Sequence, residues 1–149
     1  MGAEAQPLIT VSTAVEKPGE TVKLSLILGS RGTELRTLKV VLTFPGGLEY
    51  VKASLGINAE IASVIMKTTG RNPSPEFELT ARDGVLPEGL LVSLDVEITK
   101  EAKVGDTLKV AAVATGTVPT GETIEVEREG GEVFVVEEVP VIACFFYMH

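Results

Sequence analysis

Thr21-Val22-Lys23-Leu24-Ser25-Leu26-Ile27-Leu28 alternates along its length, with Val22, Leu24, Leu26 and Leu28 on one side and Thr21, Lys23, Ser25 and Ile27 on the other. A segment with that period buries one face of a strand and leaves the other to solvent. The pattern repeats. Leu38, Val40, Leu42 and Phe44 point inward, while Thr37, Lys39, Val41 and Thr43 point outward, Val41 being an apolar residue on the exposed side. Phe77, Leu79 and Ala81 alternate with Glu76, Glu78, Thr80 and Arg82, and Val92, Leu94, Val96 and Ile98 with Ser93, Asp95, Glu97 and Thr99.

Less regular apolar runs at 8–15, 48–55, 61–68, 107–115, 124–127 and 133–136 bring the expected number of strands to about nine or ten. Residues 58–66 hint at a helix, but their mixed face and β-branched content favour a strand. Between the runs stand Lys17-Pro18-Gly19-Glu20, Pro45-Gly46-Gly47, residues 70–75, Pro87-Glu88-Gly89, Val104-Gly105-Asp106 and Gly130-Gly131. Each offers a fixed φ from Pro or a positive φ from Gly where the chain must reverse. Many short strands with scarcely any helical period predict an all-β, two-sheet antiparallel β-sandwich.

The chain of 149 residues is expected to form one such domain over 8–137, after a flexible segment at 1–7 and before a distinct apolar tail at 138–149. A domain of that size buries roughly 68–70% of its unfolded surface, enough for a core without staples. Residues 1–6 are polar and lack the basic and apolar regions of a signal peptide. The apolar run at 141–148 is eight residues long, far below the roughly 20 a membrane helix needs. It reads as a last strand on the sheet, as the stump of a longer parent or an appended tail, or as a membrane or partner contact. Membrane contact is expected only if the tail belongs to a longer anchored parent.

Residue types exclude several chemistries. With a net charge of −8 and no basic cluster the chain is a poor match for nucleic acid. Its one histidine, His149, and one cysteine, Cys144, both lie in the tail. A triad needs a histidine held between nucleophile and acid, and a zinc site needs several ligands at set spacings. No phosphate-binding glycine fingerprint and no Asp-rich calcium loop is present. Among acidic residues, Glu125, Glu127, Glu129 and Glu132 form a run that reads as a solvated edge discouraging strand-to-strand aggregation, with calcium binding as the alternative. No enzyme activity, cofactor, metal or small-molecule substrate is expected of this chain.

Taken in order, Lys17-Pro18-Gly19-Glu20-Thr21-Val22, Leu38-Lys39-Val40-Val41-Leu42-Thr43-Phe44, Gly47-Leu48-Glu49-Tyr50-Val51, Phe77-Glu78-Leu79-Thr80-Ala81-Arg82-Asp83-Gly84, Gly89-Leu90-Leu91-Val92-Ser93-Leu94-Asp95-Val96 and Ala102-Lys103-Val104-Gly105-Asp106 resemble the cohesin family over about residues 8–137. The resemblance implies a nine-stranded jelly roll, of the general kind seen in immunoglobulin-like and carbohydrate-binding modules. It implies a non-catalytic module that binds a calcium-loaded helical dockerin, with the calcium on the partner, in extracellular or cell-surface assemblies. In that family the dockerin rests on a flat face built from the third, fifth, sixth and eighth strands. Carried onto this chain, the face comprises Thr37, Lys39, Val41 and Thr43, then Ser63, Ile65 and Lys67, then Glu76, Glu78, Thr80 and Arg82. Val41 and Ile65 are the expected apolar centre. Thr37 and Lys39 stand where cellulosomal cohesins often carry Asn and Asp.

Two other roles fit a sandwich of this composition, a carbohydrate-binding module and an adhesion or spacer domain of a surface protein. Sugar platforms stack aromatic rings on the pyranose. This chain has no Trp, and Phe44, Tyr50, Phe77 and Phe134 are mostly expected inward.

Overall fold

A computed structural model describes residues 6–138. Eleven strands and one short helix follow in order: β1 (Leu8–Val11), β2 (Ala14–Glu16), β3 (Thr21–Gly29), β4 (Thr37–Thr43), β5 (Leu48–Leu55), α1 (Ile57–Ile61), β6 (Val64–Thr69), β7 (Glu76–Ala81), β8 (Gly89–Ile98), β9 (Thr107–Thr117), β10 (Thr123–Glu129) and β11 (Gly131–Val135). The hydrogen-bonded path runs β5-β8-β3-β1-β10-β9-β4-β7-β6, with β11 pairing β9 and β2. It folds as two facing sheets, β5-β8-β3-β1 and β10-β9-β4-β7-β6, joined along one side where β1 meets β10. The sandwich is therefore nearly closed.

The all-β sandwich agrees with the sequence reading, and the differences lie in its details. Residues 8–15 are two strands, because the chain crosses at Ser12 and Thr13 from β3 in one sheet to β11 in the other. Ser12 fastens the crossing, donating its N–H to the Ser25 carbonyl at 3.0 Å and accepting the Ser25 N–H on Oγ at 2.8 Å. Both ladders made by the chain ends, β1 with β10 and β2 with β11, are parallel, so the sheet is mixed and not wholly antiparallel. Pro7, at the end of the segment expected to be flexible, is buried and its carbonyl accepts the Glu127 N–H at 2.8 Å. The apolar tail lies outside the described residues.

The core is built by the alternation itself. Leu24, Leu26, Leu38, Val40, Leu42, Phe77, Leu79, Leu94, Val96 and Ile98 are each at most 1% exposed. Burial of apolar area at about 25 cal/mol/Å² is what holds the two sheets together. Three rings bridge them: Tyr50 stacks on Phe44 at 6.4 Å and meets Phe77 edge-on at 5.7 Å.

The stretch expected as strand at 58–66 is instead α1 followed by a turn and β6. The helix closes the open side of the sandwich between β5 and β6, the two ends of the sheet path. Gly56 holds it there: its N–H donates to the Leu91 carbonyl at 2.7 Å, and a Cβ at this position would sit 2.5 Å from the Leu90 carbonyl oxygen. Ala59 fills the space beneath, at 0% exposure. At the other end of the same opening, Asn72 takes the place of a strand partner, accepting the Tyr50 N–H at 2.8 Å and donating to the Tyr50 carbonyl at 3.0 Å. The glutamate run also differs from its expectation. β10 lies between β1 and β9 and is no free edge, and Glu127 pairs with Arg31 at 2.9 Å.

Loops are tied by polar contacts, notably Glu88 to Ser30, whose hydroxyl and N–H both donate to one carboxylate oxygen. These bonds, the hydroxyl first, hold the Glu88 carboxyl below its ordinary range. A lowered folded pKa stabilises the fold above the unfolded value of about 4.3, and the contribution disappears as pH falls through the folded value. Urea midpoints of the parent and Glu88→Gln are accordingly expected to differ at pH 7 and to draw together once the pH is taken below the folded value. Equal separation in both conditions would refute the charged bond.

Candidate functional site

In the sheet β10-β9-β4-β7-β6, registers place outward residues in rows across the strands. Thr117, Thr37, Thr80 and Ile65 form one row; Thr115, Lys39, Glu78 and Lys67 the next; Val113, Val41, Glu76 and Thr69 the third. Neighbouring strands stand about 4.8 Å apart, so each row is roughly 14 Å wide. Leu38, Val40, Phe77, Leu79, Ala112 and Ala114 underlie it as buried inward residues. A face anchored from beneath by that many core side chains is rigid, and a rigid face loses little freedom on binding.

Of the residues selected from the sequence, Thr37, Lys39, Val41, Thr43, Ile65, Lys67, Glu76, Glu78 and Thr80 share this face. Two do not belong to its strands. Ser63 sits in the turn before β6 with φ of 58°, a left-handed conformation forced by the reversal from helix to strand. Arg82 follows the last residue of β7 and is exposed at its end.

Lys39 Nζ lies 3.5 Å from Glu76 Oε2 on the adjacent strand, diagonally across the ladder. Thr37 Oγ1 and Thr117 Oγ1 are 2.6 Å apart and share a hydrogen bond. Thr37, Lys39, Glu78, Thr80, Thr115 and Thr117 line an open depression of about 300 Å³, its floor set by the short β-branched threonines. Charges alternate in the middle row, where Glu78 stands between Lys39 and Lys67. Opposite charges paired across a ladder attract, each pair worth roughly 0.2–1 kcal/mol.

The apolar centre is not the pair expected. Val41 and Ile65 lie in different rows, with β7 between them. Val41 instead faces Val113 directly, and Ala111 lies one row on, opposite Thr43. Val113 is 57% exposed, an unusual state for a large apolar side chain at the middle of a sheet. The run at 107–115 is expected as a strand, but its outward residues are not legible, because Ala111 and Val113 alternate with Val110, Ala112 and Ala114 and leave both faces apolar. A period-two search has no contrast to detect there.

Among the described residues no group of three or more His, Cys, Asp or Glu side chains could hold a metal ion. Phe44 and Phe77 are buried, and Tyr50 lies between them, half-buried, with burial raising its phenol pKa.

No protein-family model matches the chain, and no curated protein matches it by sequence. Solved structures do. A non-cellulosomal cohesin from the hyperthermophilic archaeon Archaeoglobus fulgidus superposes with a TM-score of 0.77 at 12% identity, over 97% of this chain and 100% of that one. This chain has the cohesin fold. The third ScaC cohesin of Acetivibrio cellulolyticus, solved in complex with the ScaB dockerin, matches with a TM-score of 0.76 at 15% identity, over 87% of this chain and 99% of that one. A cohesin in a type I cohesin–dockerin complex from Clostridium thermocellum matches with a TM-score of 0.74 at 10% identity, over 89% and 100%. Identities this low reflect a shared cohesin backbone carrying largely different side chains.

Proposed function

We propose that this chain is a non-catalytic interaction module that docks a calcium-loaded dockerin on the outward face of β9-β4-β7-β6. The observation that carries this reading is the face itself, a rigid four-strand surface on which exposed Val113 faces half-buried Val41 among threonines and paired charges. Apolar residues at the middle of a polar rim are the usual anatomy of a protein–protein interface. Several solved structures with this fold are cohesins held in dockerin complexes, which supports a partner of that kind. The partner supplies the calcium, and the module, spanning about residues 8–137, contributes no ligand to it. Assembly of extracellular or cell-surface complexes follows from that role.

Of the body rings, Phe44 and Phe77 are buried and Tyr50 and Phe134 half-buried, so none stands on an open platform of the kind that sugar recognition needs. The docking reading is tested by calorimetry against dockerins encoded in the same genome, with calcium and with chelator. Saturable binding is expected with calcium only. Lys39→Glu would place a third carboxylate beside Glu76 and Glu78, and is expected to weaken binding about tenfold or more. Calcium-independent binding, or no binding by any dockerin, would refute the proposal.

A further inference from the structure

Outside the sheet face, the most exposed large apolar side chains of the described residues are on α1. Ile57 is 70% exposed and Ile61 77%. Their spacing of four residues puts them on the same side of the helical turn, away from buried Ala59. Four residues beyond Ile61, Ile65 is 52% exposed on the outward side of β6. Single exposed apolar residues are ordinary on protein surfaces, whereas a contiguous group marks a contact. Nothing in helix formation calls for isoleucine at the two solvent positions, since its β-branched side chain is a weaker helix former than Glu, Lys or Gln. The ridge is also rigid, because Gly56 and Ala59 fix α1 against β8.

We propose that the docked partner extends past β6 and closes over this isoleucine ridge, so that Ile57, Ile61 and Ile65 form a second apolar contact for the dockerin. The inference rests on the docking reading above. Area is the first argument. The four-strand face covers about 300 Å² in projection from its strand spacing and rise, while a stable interface buries roughly 800 Å² on each partner. Side-chain relief raises the accessible area of such a face well above its projection, so the strands alone supply a footprint near the small end of interface sizes, and contact past β6 enlarges it.

Charge and polarity select the side. Beyond β9 lie β10 and β11, bearing Glu125, Glu127, Glu129 and Glu132 against Arg128 on the same strands, with Glu127 held by Arg31. A calcium-binding partner is itself rich in carboxylates, and like charges brought together at an interface cost several kcal/mol. Beyond β7 lie Lys67, which makes no ion pair among the described residues, and then the isoleucines with one carboxylate among them, Glu60, so this side has no net charge where the other is acidic. Continuity is the third argument: Ile65 closes the row Thr117, Thr37, Thr80 and belongs to both surfaces. A partner matching this geometry presents two apolar clusters roughly 18 Å or more apart, one for Val41 and Val113 and one for the ridge, with polar groups between them for Lys39, Glu78 and Lys67.

The test uses the full chain carrying Ile57→Asp and Ile61→Gln together, two residues compatible with their helix positions. Calorimetry against the calcium-loaded dockerins that bind the parent is expected to show affinity weakened about 10- to 100-fold, with the thermal midpoint within a few degrees of the parent. If the double variant binds as tightly as the parent while Lys39→Glu binds more weakly, the footprint ends at β6 and the ridge proposal falls with the docking reading intact. If the parent binds no dockerin, both fall. A concentration-dependent dimer in sedimentation that the double variant abolishes would assign the ridge to a second copy of the chain and overturn the proposal.

Discussion

Phe77→Ala is expected to remove about 3–5 kcal/mol of stability, the range for truncating a fully buried aromatic ring. Phe77 is 0% exposed on the inner side of β7 and meets Tyr50 edge-on, so the ring touches the opposite sheet as well as its own. Its loss leaves a cavity between two sheets that cannot both move inward, because β7 is hydrogen-bonded to strands on either side. The cost is large against total stabilities of roughly 5–15 kcal/mol. A drop of roughly 10–20 °C in midpoint should accompany it for a domain of this size. Phe77→Leu keeps most of the volume and should cost less than about 2 kcal/mol. Equal losses for both variants in urea titration would mean that the edge-on ring contact, and not the filled volume, is what stabilises this position.

The same strand illustrates how much of the fold is legible in alternation alone. β3, β4, β7 and β8 have a polar face and an apolar face along nearly their whole length, and for β4 and β7 the expected inward residues are the buried ones. Where a strand carries a bulge the signal breaks. In β5 the register shifts between Tyr50 and Lys52, so Val51 and Lys52 are both exposed and the inward set resumes at Ala53. A matching irregularity between Leu26 and Ile27 of β3 makes Leu91 and Val92 of β8 buried neighbours. Such a phase slip leaves no local mark in composition. α1 escapes a sequence reading for a different reason: one helical turn is too short to display a 3.6-residue period, and close contact with Leu90 and Leu91, not propensity, places it.

For the candidate face, the sequence alone places the outward residues of β4 and β7 and two from β6, since those depend only on alternation. Which of them are neighbours depends on register between strands distant in the chain. β4 lies between β7 and β9, so Val41 meets Glu76 on one side and Val113 on the other. No feature near residue 41 announces a partner at residue 113. The ion pair from Lys39 to Glu76 and the bonded pair Thr37 and Thr117 are hidden in the same way.

Val113→Asp is expected to abolish dockerin binding, weakening it by more than about 100-fold, while leaving the fold in place. The side chain is 57% exposed and directly opposite Val41, so the carboxylate meets water in the free protein. In the free state the change should cost no more than about 1 kcal/mol, through lower strand propensity and a lost cross-strand pair. In the complex the same position is covered, and an unpaired carboxylate there suffers the desolvation that makes buried charges expensive. The difference between those states is the loss of affinity, and a few kcal/mol correspond to two or more factors of ten. Val113→Thr separates shape from polarity. It keeps the β-branch and nearly the same volume, and a hydroxyl is far less costly to cover than a charge, so its effect should stay below about tenfold. Calorimetry of both variants, alongside thermal melts, decides the matter: a dockerin bound equally well by parent and Val113→Asp would remove the Val41–Val113 pair from the interface and with it the physical case for this face.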